Sequence, residues 1–181
     1  MKATKVYSAL FFSLFYSISL FAISEETIKV AFLERFTMFI QWPKPIDSYT
    51  VCIYNDDPFA QTLQKNYSSR LFNNRPLKVI SLHTGESPDE MLKCHILYFR
   101  SSKPHQNEAF INTLRKNNVL IISDDDDDAK RGAMIGFYLE KNIFRFVINQ
   151  RNLEDARLSA SYKLLNFATV IEPTGGQNAA K

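Results

Sequence analysis

The stretch from Tyr49 to Tyr67, YTVCIYNDDPFAQTLQKNY, decides the fold class. Its first part, YTVCIYN, is a short run of apolar, β-branched and aromatic residues, which reads as a buried strand. Its second part opens on Asp57, a helix-capping residue, and Pro58, which suits the first helical position. A buried strand running straight into a capped helix is the opening unit of an alternating α/β chain.

Downstream the alternation repeats. PLKVISL is a second strand, SPDEMLKC holds one helical turn, and HILYFR is a third strand with Ile96, Leu97, Tyr98 and Phe99 in one apolar run. PHQNEAFINTLRKN predicts a helix with Phe110 and Leu114 inward, and NVLIISD a fourth strand. Such continuous runs suit central parallel strands covered on both faces. AMIGFYLE and IFRFVIN, split only by Lys141 and Asn142, predict an antiparallel hairpin. A last helix is expected from a cap at Asn152 through Ala168, with Ala156, Ser159, Tyr162 and Leu165 on one stripe. The expected fold is therefore α/β: a mostly parallel central sheet, helices on both faces in a Rossmann-like three-layer arrangement, and an antiparallel hairpin at one edge.

Upstream lies EETIKVAFLERFTMFIQW, where Ile28, Ala31, Phe32, Phe36 and Phe39 follow helical spacing up to the stop at Pro43. Val30, Leu33 and Ile40 fall on the opposite side. A helix apolar nearly all round needs covering on both faces, by the rest of the domain or by a partner. Before it, Lys2 and Lys5 precede an apolar run from Val6 to Ile23 that ends in small residues, Ala22 and Ser24. This is the pattern of a secretory signal peptide over residues 1–24. An uncleaved anchor is the alternative, weakened by the serines within the run. The chain divides on this reading into a leader (1–24), one α/β domain (25–172) and a flexible tail (173–181).

Removing the two leader lysines from the 22 basic residues of the chain leaves 20 against 19 acidic ones, a formal charge near +1. That balance disfavours nucleic acid and anionic lipid as partners, and no membrane insertion is expected after cleavage. The two cysteines, Cys52 and Cys94, are an even number in a chain that leaves the reducing cytosol, so a single disulfide is expected. If the first and third strands are neighbours, their spacing brings the two within bridging range. Two free thiols in a cytosolic protein is the alternative.

Little here points to catalysis. Asp124 to Asp128 follow the fourth strand and Asp56 and Asp57 the first, so a divalent-metal site at the carboxyl ends of the strands is conceivable. Adjacent carboxylates diverge, however, and calcium loops alternate their ligands around a glycine, which this run lacks. A turn whose aspartates cap backbone groups or meet Lys130 and Arg131 is the competing reading. A phosphoacceptor receiver would need an Asp after the third strand, where FRSS stands. His83, His95 and His105 have no metal-ligand spacing, and neither a nucleophile elbow nor a glycine-rich phosphate loop is present. No catalytic, cofactor-binding or metal residue is therefore nominated, and the Asn66–Ser68 sequon carries no weight.

Several blocks together resemble the YfiR-like family, exported regulators of bacterial inner-membrane diguanylate cyclases. They are IKVAFLERFTMFIQWP, VCIYNDDPF, NRPLKV, CHILYFRSS, ISDDDDDAKRGAMIGF, FRFVIN and ARLSASYKLLNFATVI, in the family's order and spanning Ile28 to Ile171. The chain departs at Arg35, where the family usually has Asn, and at Asn55 and Ala133, where it has Gly; a second cysteine pair found in some members is absent. The resemblance places the surplus aspartates in a variable turn. It implies a periplasmic protein, similar to known dimers, that turns over no substrate and represses a membrane-bound cyclase by binding that enzyme's periplasmic sensor domain. Apolar residues at the end of the first helix, Phe36, Phe39 and Trp42, and near the last helix, Leu165, Val170 and Ile171, are the candidate partner contacts. The competing function is a periplasmic small-ligand sensor using the crevice beyond Asn55–Asp57 and Ser101–Ser102; an aspartate-based metalloenzyme ranks below both.

Overall fold

Helix α1 (Glu25–Phe39) leads through a two-residue strand, β1 (Ile40–Gln41), to β2 (Tyr49–Tyr54). Helix α2 (Asp57–Asn66) connects to β3 (Leu77–Leu82), the single turn α3 (Pro88–Met91) to β4 (Ile96–Phe99), and α4 (Glu108–Lys116) to β5 (Leu120–Ser123). The turn α5 (Asp128–Arg131) enters β6 (Ile135–Glu140), which folds back as β7 (Ile143–Asn149). Last come α6 (Gln150–Asp155), β8 (Ser159–Ala160), α7 (Tyr162–Leu165) and β9 (Thr169–Ile171). This computed structural model describes residues 24–100 and 108–171, so residues 1–23 of the expected leader and the tail over 173–181 fall outside the described residues.

The main sheet has the order β3-β2-β4-β5-β6-β7-β9. Strands β3 through β6 are parallel, β7 is antiparallel to β6, and β9 joins β7 in parallel. The architecture is the α/β fold read from the sequence, with β9 added outside the hairpin. Every residue of β5 is buried, as are Ile96, Leu97 and Tyr98 of β4, which is why these strands carry no polar alternation. The chain leaves β2 toward β3 and returns past it to β4, so right-handed crossovers place α2 on one face and α4 on the other. Helix α1 packs beside α2, and α4 beside α6. Cys52 of β2 and Cys94, just before β4, form a disulfide with Cα atoms 5.8 Å apart, joining two neighbouring strands, second and third from the β3 edge of the sheet.

Two local expectations are corrected, and the rotation of α1, left open by its two apolar faces, is fixed. The cap of α2 is Asp56, whose carboxylate accepts from Phe59 N at 3.3 Å, and Asp57 begins the helix. The face of α1 that enters the core is Val30, Leu33 and Phe36, with Lys29 and Thr37, while Ile28, Ala31, Phe32 and Phe39 are only partly covered or exposed. The long last helix is broken. α6 is capped by Asn149 and ends at Asp155, Arg157 takes a left-handed backbone (φ 55°), and Ser159–Ala160 pair with Ile40–Gln41. Asn152 instead donates to the carbonyls of Ala129 and Ala133, at 3.2 and 2.7 Å. Ala160 favours a helix and Ser159 is middling, but local propensity is weak beside tertiary context, so pairing with β1 overrides their helical spacing.

Candidate functional site

At the carboxyl ends of the strands the aspartates are engaged by cations and by their own backbone. Lys29, its side chain 3% exposed, places Nζ 2.5 Å from Asp124 Oδ1 and 2.5 Å from Glu25 Oε1. Arg100 Nε lies 3.1 Å from Asp56 and 3.8 Å from Asp124. Asp125 accepts from the backbone N–H of Asp127 at 2.9 Å, Asp127 meets Lys130 at 2.7 Å, and Asp128 meets Arg131 at 2.6 Å and receives the Ser123 hydroxyl. The turn rests directly on β6. A Cβ at Gly136 would come within 2.5 Å of the Asp125 carbonyl oxygen, so glycine is what lets the two backbones touch. Among the described residues no group of three or more His, Cys, Asp or Glu is placed to hold a metal ion.

The same charges surround the wholly buried Tyr98, whose pKa is raised by burial first and then by Asp124 and Asp56. The expected ligand crevice beyond Asn55–Asp57 is thus occupied at Asp56 by its ion pair with Arg100, and Ser101 and Ser102 lie outside the described residues.

A second concavity lies beside α1. Helix α1 starts at Ser24, which accepts from Thr27 N at 3.2 Å, with Glu25 and Glu26 in the favourable first turn. It ends where β1 pairs with β8, and Ser161 N donates to Phe39 O at 2.8 Å. That junction fixes α7, itself capped by Ser161, opposite the outer face of α1. Between them runs a groove of about 610 Å³. Ile28, Ala31, Phe32 and Phe39 form one wall, Phe144 and Phe146 of β7 the floor, and Leu164 and Phe167 the other wall. Residues 144 and 146 share a face because side chains alternate along a strand.

Phe32 is the hub of this surface. Its ring centroid lies 5.4 Å from Phe146, 5.7 Å from Phe137, 5.9 Å from Phe36 and 6.1 Å from Phe144. These separations fall in the favourable range for aromatic pairs, so the floor is a packed, preformed surface. Phe167, by contrast, is 78% exposed at the rim. An open aromatic groove of this kind can bind an apolar group, and it offers no nucleophile or acid–base pair.

The six candidate contacts do not form one surface. Phe39 lines the groove. Phe36 is a correction: it is fully buried, 5.2 Å from Phe146 and 5.9 Å from Phe137, and belongs to the core. Trp42 is half-buried away from the groove, its indole N–H donating to Asn118 O at 3.1 Å. Leu165 packs half-buried against the core, and Val170 and Ile171 lie half-buried in β9 opposite Ile148 and Asn149. Sequence reasoning missed Phe144 and Phe167. The alternation in IFRFVIN marks Phe144 and Phe146 as sharing a face, but only the β1–β8 pairing brings Phe167 to them.

No curated protein matches the chain. The profile of a family described as YfiR/HmsC-like matches residues 26–169, nearly all of the described chain. Its members are periplasmic regulators of cyclic di-GMP signalling rather than enzymes. With the block order, the disulfide-tied α/β sheet and a groove suited to binding all in place, the chain belongs to the YfiR/HmsC-like family.

Proposed function

We propose that this chain is an inhibitory binding protein that represses an inner-membrane diguanylate cyclase by binding the cyclase's periplasmic sensor domain, acting as a homodimer, and so lowers cyclic di-GMP. The observation that carries the reading is the aromatic groove beside α1, with Phe167 standing 78% exposed at its rim. Its apolar residues sit where a partner can cover them.

A protein on the far side of the membrane from the nucleotide acts only by preferring one conformation of the cyclase to another. A preference of about 1–3 kcal/mol changes the population of the active state about 5- to 150-fold. A groove that buries a few apolar side chains of the partner in one of its two states supplies a difference of that size, at about 25 cal/mol per Å² covered.

The test is affinity capture from solubilised membranes by the exported protein, with bound proteins identified by mass spectrometry and the capture repeated after reduction of the disulfide. Recovery of a diguanylate cyclase by the wild type and its loss with Phe39→Asp supports the proposal. Recovery of no cyclase, or equal recovery by Phe39→Asp, sinks it. Small-ligand sensing is the second reading, favoured by one observation: about 610 Å³ is within the size range of small-molecule pockets. A rise in melting temperature with small metabolites, leaving cyclase capture unchanged, selects that reading.

A further inference from the structure

Among the described residues no acidic residue borders the groove beside α1, while three basic ones do, each from a different element: Arg35 from α1, Lys163 beside Leu164 in α7, and Arg145 from β7, whose side chain leaves the strand on the face opposite Phe144 and Phe146. Arg145 is answered by Glu140 at 2.6 Å. Arg35 and Lys163 are exposed, stand on the two opposing walls, and have no ion pair among the described residues. The groove is therefore an apolar floor under an uncompensated positive rim. A cleft with low-dielectric walls focuses such a field inward.

We infer that the groove receives an apolar protein segment that carries aspartate or glutamate on the flanks of its apolar residues, with Arg35 and Lys163 reading those carboxylates. The inference rests on the reading that this chain works by binding a partner protein, and it adds the chemistry of the segment bound. A wholly apolar segment would draw the two cationic heads out of water with nothing to pair with. A basic segment would be repelled at both walls. The concave floor, with Phe32 and Phe144 6.1 Å apart, fits an inserted segment better than the flat face of a bilayer. Two facing helices over an aromatic floor are the setting in which amphipathic segments dock by spaced apolar anchors.

The test uses protein exported from the full chain and recovered from the periplasm, as wild type and as the Arg35→Glu/Lys163→Glu variant. Both positions are exposed, and matching melting curves check that the variant folds. Each protein is used to select binders from a random dodecapeptide phage library. Wild type is expected to enrich peptides with apolar anchors flanked by Asp or Glu. The variant is expected to bind the best of them about tenfold more weakly or worse, from two rim pairs turned repulsive, and to enrich Lys- or Arg-flanked peptides instead. Affinity of the wild type for its peptide falls as salt rises.

Neutral or basic peptides from the wild type, no enrichment, or equal affinity of both proteins for the same peptide overturns the inference. So does flotation of the wild type, but not of the variant, with phosphatidylglycerol vesicles when no acidic peptide is selected. Acidic peptides selected by a protein that captures no cyclase would defeat the proposed repression alone and leave the groove's chemistry standing. Cyclase capture that survives in the Arg35→Glu/Lys163→Glu variant would do the reverse.

Discussion

Replacing Lys29 with Met tests how the sheet's carboxyl end is held. The lysine side chain is 3% exposed and its ammonium sits 2.5 Å from both Asp124 and Glu25. Methionine keeps most of the apolar stem and removes the charge, so packing is little changed while Asp124 loses its nearest cation. Breaking a buried pair from one side costs about 3–5 kcal/mol because the remaining charge is stranded. Asp124 retains 17% exposure and Arg100 at 3.8 Å, which puts the expected loss near the low end, about 3 kcal/mol. For a domain of this size each kcal/mol moves the midpoint by about 2–4 °C, giving a drop of about 6–12 °C in a thermal melt. The Lys29→Met/Asp124→Asn double variant should recover most of that loss, because it removes the stranded charge. A Lys29→Met protein that melts at or above the wild-type temperature refutes the assignment of this pair as a tie between α1 and β5.

Other perturbations report on separate parts of the fold. Gly136→Ala should destabilise by about 1–3 kcal/mol, since its Cβ meets the backbone of Asp125 and Asp126; chemical denaturation reads this, and an unchanged midpoint means the acidic turn does not rest on β6. Replacing Cys52 and Cys94 together with Ala should cost about 4 kcal/mol in the chain-entropy view, because the bridge spans 42 residues; a melt within a degree or two of wild type contradicts it. Burial holds the His95 pKa below 6.5, and its Nδ1 accepts from Thr50 N at 3.0 Å. The unfolded chain therefore binds the proton first, so stability from this site is complete above about pH 6.5 and declines as pH falls toward the folded pKa. Melts of wild type against His95→Asn from pH 7.5 to 5 should show a flatter dependence in the variant; parallel curves reject the role.

The strands were readable because burial on both faces leaves a mark in the residues themselves: VCIY, ILYF and LIIS carry no polar alternation, are too short for a helix and are rich in β-branched and aromatic residues, which suits strands inside a sheet. Helix α1 was readable as a helix but not in its rotation. With Val30, Leu33 and Phe36 on one side and Ile28, Phe32 and Phe39 on another, periodicity offers two apolar faces and nothing local says which meets the sheet. The end of the chain failed for a related reason. Ala156, Ser159 and Tyr162 keep helical spacing, yet the backbone reverses at Arg157 because Ser159–Ala160 find β1, a partner more than a hundred residues upstream. The groove depends on that same pairing, so its two walls could not be joined from the sequence. Lys29 shows no sign of burial in the sequence either, since its burial depends on where Asp124 arrives.

Cellular cyclic di-GMP, compared among the parent strain, a strain lacking this chain, and that strain complemented with wild type or Phe39→Asp, tests repression most directly. The account requires a higher level without the chain, return to the parent level with wild type, and no return with a Phe39→Asp protein exported and folded in equal amount. An unchanged or lower level in the strain lacking the chain would contradict it.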